Sequence, residues 1–265
     1  MQIKTPVEIT DAAIAAGNAK VARTLRQPVS LLVSAMLAGA FIAIGGILSL
    51  IVGFGFPELT GGNPSLQRLL SGMMFPIGLI LVVVLGAELF TGNNAMLIPG
   101  YMKRDYTLSA VIRNWSIVYI GNLIGAVAFT WLLVYFAGLT AGEPYHSSII
   151  GIGLAKTSMT WPVVLVKGIG ANWFVCLGVW LALSGHTFFE KALGCWLPVM
   201  AFVVLGYEHS IANMFYLPLA MLEGAPLSID TCLTNNILPA TIGNIIGGAL
   251  FVGCLHTYLH HRTGR

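Results

Sequence analysis

Two short polar stretches with one shared frame interrupt the apolar runs of this sequence, and they constrain its fold more than any other feature. Residues 86–93 (Gly-Ala-Glu-Leu-Phe-Thr-Gly-Asn) and 206–213 (Gly-Tyr-Glu-His-Ser-Ile-Ala-Asn) both read Gly-x-Glu-x-x-x-x-Asn, at a constant offset (206 − 86 = 120). An ionisable group at membrane depth costs roughly 2.5–3.5 kcal/mol or more, so such groups mark a pathway or a protein-lined cavity. We therefore expect the function of the chain to lie between these two copies.

The composition explains why membrane depth is the relevant setting. Of the 265 residues, 57% are hydrophobic and only 9% are charged, which is too little polar material to cover a water-soluble fold. The mean hydropathy of +0.84 and several apolar runs near the roughly 20 residues that span a bilayer agree with this. The sequence predicts an integral membrane protein that contacts lipid and has no nucleic-acid partner.

The apolar runs predict six crossings of the membrane. An N-terminal amphipathic helix and cytoplasmic lead-in (residues 1–29) precede a channel domain (30–258), and a cytoplasmic tail (259–265) follows it. The second and fifth spans are expected to be broken at the two polar stretches, because irregular backbone at membrane depth must line a cavity or be buried in protein. The partly apolar segment 143–159, which contains Lys156, is predicted to be an outer connection with a short helix.

The halves 30–136 and 162–258 each contain three spans and share a second motif. Gly121-Asn122-Leu123-Ile124-Gly125 recurs as Gly243-Asn244-Ile245-Ile246-Gly247 (243 − 121 = 122). An odd number of crossings per half makes the second copy enter from the opposite side, which gives an inverted repeat typical of transporters and channels. The glycines permit close helix packing, and we expect the asparagine between them to have a structural role.

Two broken helices of opposite direction would bring half-helix N-termini, with unpaired N–H groups, to the bilayer centre, where an anion is the natural occupant. Ser210 is expected to cap its half-helix, and Thr91 to offer its hydroxyl to a substrate. His209, the only histidine in the middle of an apolar region, can donate a hydrogen bond or carry a proton near neutral pH. The remaining polar residues of the two stretches are expected to support the loops: Glu88, Asn93, Glu208 and Asn213.

Lysine and arginine in the short flanks set the orientation. With the N-terminus inside, the outer flanks hold only Arg68 and Lys156, whereas the inner flanks hold Lys4, Lys20, Arg23, Arg26, Lys103, Arg104, Arg113, Lys191, Arg262 and Arg265. Both termini are therefore expected to be cytoplasmic. The four cysteines have no paired ligand spacing and are interpreted as small buried hydrophobic residues.

Four motifs together resemble the formate/nitrite transporter family, and most closely its formate channels. They are Leu89-Phe90-Thr91-Gly92, the stretch from Gly206 to Met214, Lys167-Gly168-Ile169-Gly170-Ala171-Asn172-Trp173, and Thr241-Ile242-Gly243-Asn244-Ile245-Ile246-Gly247-Gly248. The resemblance implies a homopentamer of all-α, aquaporin-like protomers in a prokaryotic cytoplasmic membrane. Each protomer would have its own pore for small monovalent anions.

The resemblance also implies roles for individual residues. It places substrate-pathway residues at His209, Thr91, Asn172, Lys156 and Arg26. It implies an inner constriction of Leu79 and Phe202 with Phe75, and an outer constriction of Leu89, Phe90 and Val175. Two positions depart from many relatives, Gly92, where serine is common, and Lys167, where an apolar residue is common.

The sequence therefore predicts a channel or proton-coupled transporter for anions of weak acids, with formate first, nitrite second and hydrosulfide third. It predicts no enzymatic activity, cofactor or metal. A haem-binding redox subunit is the alternative from another class, although His209 has no second histidine at comparable depth to complete an axial pair. A water or glycerol channel is a further rival, but the sequence has no Asn-Pro-Ala turn.

Overall fold

The computed structural model of the chain describes residues 3–261, and every regular element within that range is a helix. Arg262 and Arg265, expected on the inner flank, lie outside the described residues, as does most of the predicted tail. Three π-helical segments, Thr130–Tyr135, Leu233–Ile237 and Ala249–Cys254, extend neighbouring helices. The helices are α1 (Pro6–Arg26), α2 (Pro28–Phe54), α3 (Pro57–Thr60), α4 (Pro64–Met74), α5 (Ile77–Leu85), α6 (Phe90–Met96), α7 (Ile98–Met102), α8 (Leu108–Phe129), α9 (Tyr145–Ser158), α10 (Trp161–Ser184), α11 (Phe188–Val204), α12 (Ser210–Leu222), α13 (Ile229–Cys232), α14 (Leu238–Gly248) and α15 (Leu255–His260).

Five helical stretches within the described residues are long and apolar enough to cross a membrane. Each combines at least 18 residues with high hydropathy and few charges, and α12 is a shorter apolar helix beside them. The five are Pro28–Phe54, Pro64–Leu85, Leu108–Tyr135, Trp161–Ser184 and Ile229–His260. Many of their large apolar side chains are exposed, because lipid rather than water is their solvent.

The two polar stretches interrupt helices in the same way. After α5, Gly86 adopts the left-handed conformation (φ 70°), and after α11, Gly206 does the same (φ 68°). Glycine is suited to this position because it has no Cβ to collide with the following carbonyl. The first break was expected to span Glu88 to Asn94, but α6 already begins at Phe90. The irregular backbone is therefore only residues 86–89, since the amide of Phe90 finds a side-chain partner that starts the helix there.

Close helix packing at the repeated Gly-Asn motif occurs within each half of the protein. A Cβ added at Gly125 on α8 would overlap the carbonyl oxygen of Met36 on α2. A Cβ added at Gly247 on α14 would likewise overlap that of Ile169 on α10. The glycines therefore let each pair of helices approach to backbone contact, as expected from the sequence.

The N-terminal helix α1 packs along one end of the bundle. Thr5 and Glu8 form a capping box at its start, and the hydrogen bonds from Thr5 hold the pKa of the Glu8 carboxyl below its ordinary value. Lys4 Nζ donates to Leu183 O at 2.7 Å, and Asn18 Nδ2 donates to Asp105 Oδ2 at 2.9 Å. The apolar face of this amphipathic helix contacts protein, because its small residues, Ala13 among them, allow α1 to approach the bundle closely.

Candidate functional site

The starts of α6 and α12 are fixed by two asparagines from the repeated motif. Asn122 Oδ1 accepts the backbone N–H of Phe90 at 2.8 Å, and Asn122 Nδ2 donates to Glu88 O at 2.9 Å. In the second half, Asn244 Oδ1 accepts the N–H of Ser210 at 2.8 Å, and Asn244 Nδ2 donates to Glu208 O at 3.0 Å. Each asparagine therefore satisfies backbone groups that the helix break leaves open at membrane depth.

The glutamate of each polar stretch is buried and accepts hydrogen bonds from asparagine. Asn93 Nδ2 donates to Glu88 Oε2 at 2.9 Å and to Asn114 Oδ1 at 2.9 Å. Glu88 is 4% exposed, so its charge needs a partner inside the protein. Lys20 Nζ of α1 supplies that partner at 2.7 Å, and Arg23 lies at 3.6 Å. The first loop is thus tied to the N-terminal helix.

The second glutamate repeats this arrangement with a cation from α9. Lys156 Nζ donates to both oxygens of Glu208 at 3.0 Å each. Asn213 Nδ2 and Asn236 Nδ2 donate to Glu208 Oε2 at 2.7 and 3.0 Å. Glu208 is 3% exposed, so four hydrogen bonds stabilise a carboxylate that is almost completely removed from water.

His209 is the N-cap of α12, a role that the sequence assigned to Ser210. His209 Nδ1 accepts the N–H of Ala212 at 3.1 Å, whereas Ser210 Oγ is buried without a partner among the described residues. The prediction for Ser210 is therefore wrong, because its position is the first residue of the helix rather than the one before it.

The same contact fixes the proton of the neutral imidazole. An Nδ1 atom that accepts a hydrogen bond cannot carry the proton, so neutral His209 carries it on Nε2. His209 Nε2 lies 3.0 Å from Thr91 Oγ1, and both residues are buried. Nε2–H therefore donates to the Thr91 hydroxyl, which leaves that hydroxyl's own proton free for another acceptor.

A cavity opens on each side of this histidine–threonine contact. The α1-side cavity, about 250 Å³, carries three lysines on its wall: Lys4, Lys20 and Lys191. The α9-side cavity, about 170 Å³, is lined by His209, Lys156, Glu208 and Arg68. Thr91 lines neither cavity. The two cavities share no lining residue, and the contact between His209 of the α9-side cavity and the buried Thr91 lies between them.

The apolar residues expected to form two constrictions are grouped differently from the prediction. Leu79 and Leu89 line the α1-side cavity, whereas Phe75 and Phe202 line the α9-side cavity. The cavity linings separate Leu79 from Phe202, and Leu79 follows Phe75 by about one helical turn, on the α1 side. Phe202 stacks on His209 with ring centroids 5.9 Å apart and meets Phe75 edge-on at 5.7 Å.

Two other residues expected in the outer constriction line neither cavity. The Phe90 ring packs edge-on against Tyr119 (4.8 Å) and Trp115 (6.3 Å), pointing away from both cavities. Val175 is buried in the apolar core of the bundle. Phe90 is displaced from the expected position because α6 begins there, which turns its side chain toward α8.

Two expected pathway residues also lie elsewhere. Asn172 is completely buried, and its Nδ2 donates to Thr91 O at 3.1 Å and to Asn244 O at 2.6 Å. It therefore connects α6 to α14 instead of lining a cavity. Arg26 is exposed at the end of α1 and lines neither cavity, whereas Lys20 of the same helix lines the α1-side cavity.

Sequence reasoning did not single out several residues of this site. Asn114 and Asn236 share the 122-residue offset of the Gly-Asn motif, so the repeat itself was a usable signal. Lys20 is 68 positions from its partner Glu88, and no pattern in the sequence links them. Arg68 was read only as a charge of an outer loop, although it lines the α9-side cavity.

These features together define a class of protein. Apolar membrane-length helices, two broken helices whose starts meet at a buried histidine and threonine, and a cavity on each side are the attributes of a membrane channel or transporter. The model of the family described as formate/nitrite transporter matches residues 7–258. The chain therefore belongs to the formate/nitrite transporter family, an integral membrane family of channels and transporters and not of enzymes.

Several curated proteins are similar over nearly their whole length. An uncharacterized transporter, YrhG of Bacillus subtilis, is 41% identical over 265 residues, which cover 100% of this chain and 97% of the relative. The formate channel BtFdhC of Bacillus thuringiensis is 38% identical, with 96% and 94% covered. The formate channel FocA of Escherichia coli K12 is 34% identical, with 93% and 92% covered.

Solved structures agree with the family assignment. A structure described as an FNT family ion channel superposes with a TM-score of 0.87 at 30% identity and covers 95% of this chain and 98% of its own. A structure described as a pentameric formate channel with formate bound gives a TM-score of 0.76 at 29% identity and covers 89% and 98%.

Proposed function

We propose that this protein is a channel for small monovalent anions of weak acids, with formate as its principal substrate. The observation that carries the proposal is the His209–Thr91 contact of 3.0 Å between the two cavities. The proposal is supported by relatives named formate channels and by a similar structure described as containing formate. That structure's description as pentameric also supports a homopentamer of this chain, and we propose that each protomer holds its own pathway.

The proposed topology has six crossings, arranged as two inverted three-helix halves of aquaporin-like form. The matched hydrogen bonds of Asn122 and Asn244, and the matched left-handed glycines, support this reading. The α1 side faces the cytoplasm, because the loop after α7 with Lys103 and Arg104 and the first turn of α11 with Lys191 lie on that side, whereas few lysines and arginines lie near α9. We place the protein in a prokaryotic cytoplasmic membrane with both termini inside.

The proposed pathway runs from the α9-side cavity to the α1-side cavity through the His209–Thr91 region. Phe75 and Phe202 narrow it on one side, and Leu79 and Leu89 on the other. Apolar rings resist hydrated ions by excluding water. An anion between them loses most of its hydration, and an ionised carboxylate in such a place tends to become neutral rather than bear the full desolvation cost.

His209 is proposed to supply the proton. Protonation of His209 adds a proton to Nδ1, so the ring must first give up the hydrogen bond that Nδ1 accepts from Ala212 N–H. The protonated ring then donates its Nε2 proton to a carboxylate oxygen of formate, which gives neutral formic acid and a neutral imidazole with its remaining proton on Nδ1. The Thr91 hydroxyl, which lies 3.0 Å from Nε2, donates its own proton to the bound carboxylate before transfer. Beyond the apolar residues the acid releases a proton, which either returns to His209, giving net anion flux, or leaves with formate, giving net proton cotransport.

Uptake into proteoliposomes tests this function directly. Purified protein is reconstituted, and the initial uptake of labelled formate, nitrite and hydrosulfide is measured with and without an imposed pH gradient. We expect formate uptake above that of empty vesicles, and a rate that depends on pH. Accelerated uptake with an acidic outside indicates cotransport with a proton, whereas a membrane-potential dependence without proton movement indicates anion flux. Absence of uptake for all three anions would refute the proposal.

Nitrite is the second candidate because the family itself is described as a formate/nitrite transporter. Nitrite and formate are both bent anions with two oxygens. No described side chain of the site distinguishes the central C–H group of formate from the central nitrogen of nitrite. The ratio of their uptake rates under identical conditions ranks them. Hydrosulfide stays third because it has a single sulfur where the others offer two oxygen acceptors.

A further inference from the structure

The charges of the α9-side cavity do not act equally on an entering anion. Its wall carries two cations, Arg68 and Lys156, and one carboxylate, Glu208. Lys156 places its ammonium 3.0 Å from both oxygens of Glu208, and the side chains are only 16% and 4% exposed. A cation that is paired at this distance with a buried carboxylate presents little net charge to a third group. The family resemblance assigned the attraction of anions to Lys156, but its charge is already compensated.

Arg68 has the opposite surroundings. It is exposed on α4, and within residues 3–261 its guanidinium has no hydrogen-bond acceptor and no carboxylate within 4 Å. The neighbouring polar side chains of the wall are occupied with each other: Gln67 Nε2 donates to Ser71 Oγ, and Ser71 Oγ donates to Ser49 O. The net positive charge of this cavity is therefore that of Arg68.

The position of Arg68 suits the first contact with a substrate. It lies on the helix that leads to Phe75, seven residues further along and on the same cavity wall. An anion bound at Arg68 is therefore held at the mouth of the cavity, before the aromatic pair and His209. The guanidinium presents two parallel N–H groups that match two oxygens of one carboxylate, which a lysine ammonium does not.

We infer that Arg68, and not Lys156, recruits the anion into the α9-side cavity and favours bent anions with two oxygens over anions with a single acceptor atom. This inference rests on the proposed function and adds a specificity-determining residue to it. Lys156 in turn has a positioning role, because it holds Glu208 and thereby the loop that carries His209. Formate and nitrite would be recognised by two N–H groups of the Arg68 guanidinium, and hydrosulfide by charge alone.

Three variants in proteoliposomes test the inference: Arg68→Gln, Arg68→Lys and Arg113→Gln. Arg113 is an exposed arginine that lines neither cavity, so its variant matches the loss of one charge elsewhere. The initial rates of formate, nitrite and hydrosulfide uptake are measured at about 10 mM and about 0.5 M salt, where the Debye length falls from about 30 Å to about 4 Å. Gel filtration and thermal unfolding check that each variant folds.

We expect Arg68→Gln to lower uptake of all three anions by roughly threefold to tenfold at low salt and by less than about twofold at high salt. The rates are compared in vesicles with one protein orientation, because in a randomly oriented preparation the unaffected half would keep the total loss of uptake below about twofold. Arg68→Lys should restore hydrosulfide uptake but leave formate and nitrite about threefold below the unsubstituted protein, because one ammonium replaces a two-point contact. Arg113→Gln should match the unsubstituted protein.

The outcomes separate failure of this inference from failure of the proposed function. If the unsubstituted protein takes up none of the three anions, the function itself is wrong. If it takes them up and Arg68→Gln keeps the same rates and salt dependence, Arg68 does not recruit the anion. If Arg68→Lys lowers all three anions equally, or none, the preference for two-oxygen anions is refuted.

Discussion

The two polar loops of this protein, residues 86–89 and 205–209, have the same backbone support but opposite chemistry. Each contains a left-handed glycine, is fixed by an asparagine of the repeated Gly-Asn motif, and contains a buried glutamate paired with a lysine. At the next position along, however, the first loop has Leu89 and the second has His209. The shared residues form the helix break, and the position that differs places an imidazole in only one of the two loops.

A second difference lies at the start of each half-helix. Thr91 of α6 corresponds to Ile211 of α12 at the 120-residue offset (211 − 91 = 120). The imidazole therefore comes from one half and the hydroxyl from the other, and they meet at 3.0 Å only because the two breaks face each other. The residues that support the two loops are repeated, whereas His209 and Thr91 are not. The protein therefore holds one imidazole–hydroxyl pair without placing a second histidine at membrane depth.

The largest expected effect concerns the stability that the buried glutamate of each loop gives to the protein. Glu208 accepts from three side chains and Glu88 from two, and Lys156 is less exposed (16%) than Lys20 (21%). We expect Glu208→Ala to destabilise the protein by roughly 3–5 kcal/mol, because it leaves a largely buried ammonium without its carboxylate and removes one acceptor from each of two buried amides. Thermal or denaturant unfolding in detergent micelles measures it.

The matched variant is Glu88→Ala. Without Glu88, Lys20 can turn toward the water of the α1-side cavity. Glu88→Ala should therefore destabilise the protein by at least about 1 kcal/mol less than Glu208→Ala does. Equal destabilisation of the two variants would mean that the loops are supported equally and that the comparison of their contacts is uninformative about stability.

The central position is tested by His209→Asn. Asparagine retains a polar group of similar reach but cannot titrate, so transport that depends on a proton from this site should fall by about tenfold or more. Formate uptake is measured from about pH 5 to pH 8, and a residual, pH-insensitive passage of neutral acid is expected at the acid end.

Ser210→Ala is the control for this experiment, because the Ser210 hydroxyl is buried without a partner among the described residues. It should keep the pH profile of the unsubstituted protein. A His209→Asn variant with full flux and an unchanged pH dependence would reduce His209 to a helix cap and hydrogen-bond donor.

The apolar residues beside each loop provide the next comparison. Phe202 stacks on His209 and meets Phe75, so Phe202→Ala should widen the α9-side narrowing, raise formate flux by a few-fold and admit larger carboxylates such as lactate. Flux assays with formate and lactate give the selectivity ratio. Phe188→Ala, at an exposed residue on α11, is the control. An unchanged lactate-to-formate ratio would mark Phe202 as ordinary core.

The smallest effect is expected at Gly92, whose counterpart in the second half is Ala212. A Cβ at Gly92 would lie 3.7 Å from Val179, an ordinary contact, so Gly92→Ala should change the unfolding free energy by less than about 0.5 kcal/mol. Gly86→Ala should cost about 1 kcal/mol or more, since its φ of 70° disfavours a side chain. Thermal unfolding of the two variants compares them, and the reverse order would contradict the geometry.

The sequence by itself determined the class of fold and the position of the centre. Apolar runs report the solvent of the chain directly, and polar residues inside such runs are too costly to be accidental, so membrane-length helices, the two breaks and the burial of His209 at one of them could be predicted. The Gly-Asn repeat likewise indicated close helix packing, because only glycine allows backbones to touch. These inferences depend on local composition and spacing, which a sequence states explicitly.

Only the tertiary structure decided which side chains meet. Lys20 pairs with Glu88 of the first loop, Asn172 connects α6 to α14 instead of lining a cavity, and Leu79 and Phe202 line different cavities. Each depends on where a helix begins to within one residue and on its rotation, since a shift of one position turns a side chain by about 100°. The partners lie tens of positions apart, so their contact is set by the packing of whole helices and leaves no trace in local sequence.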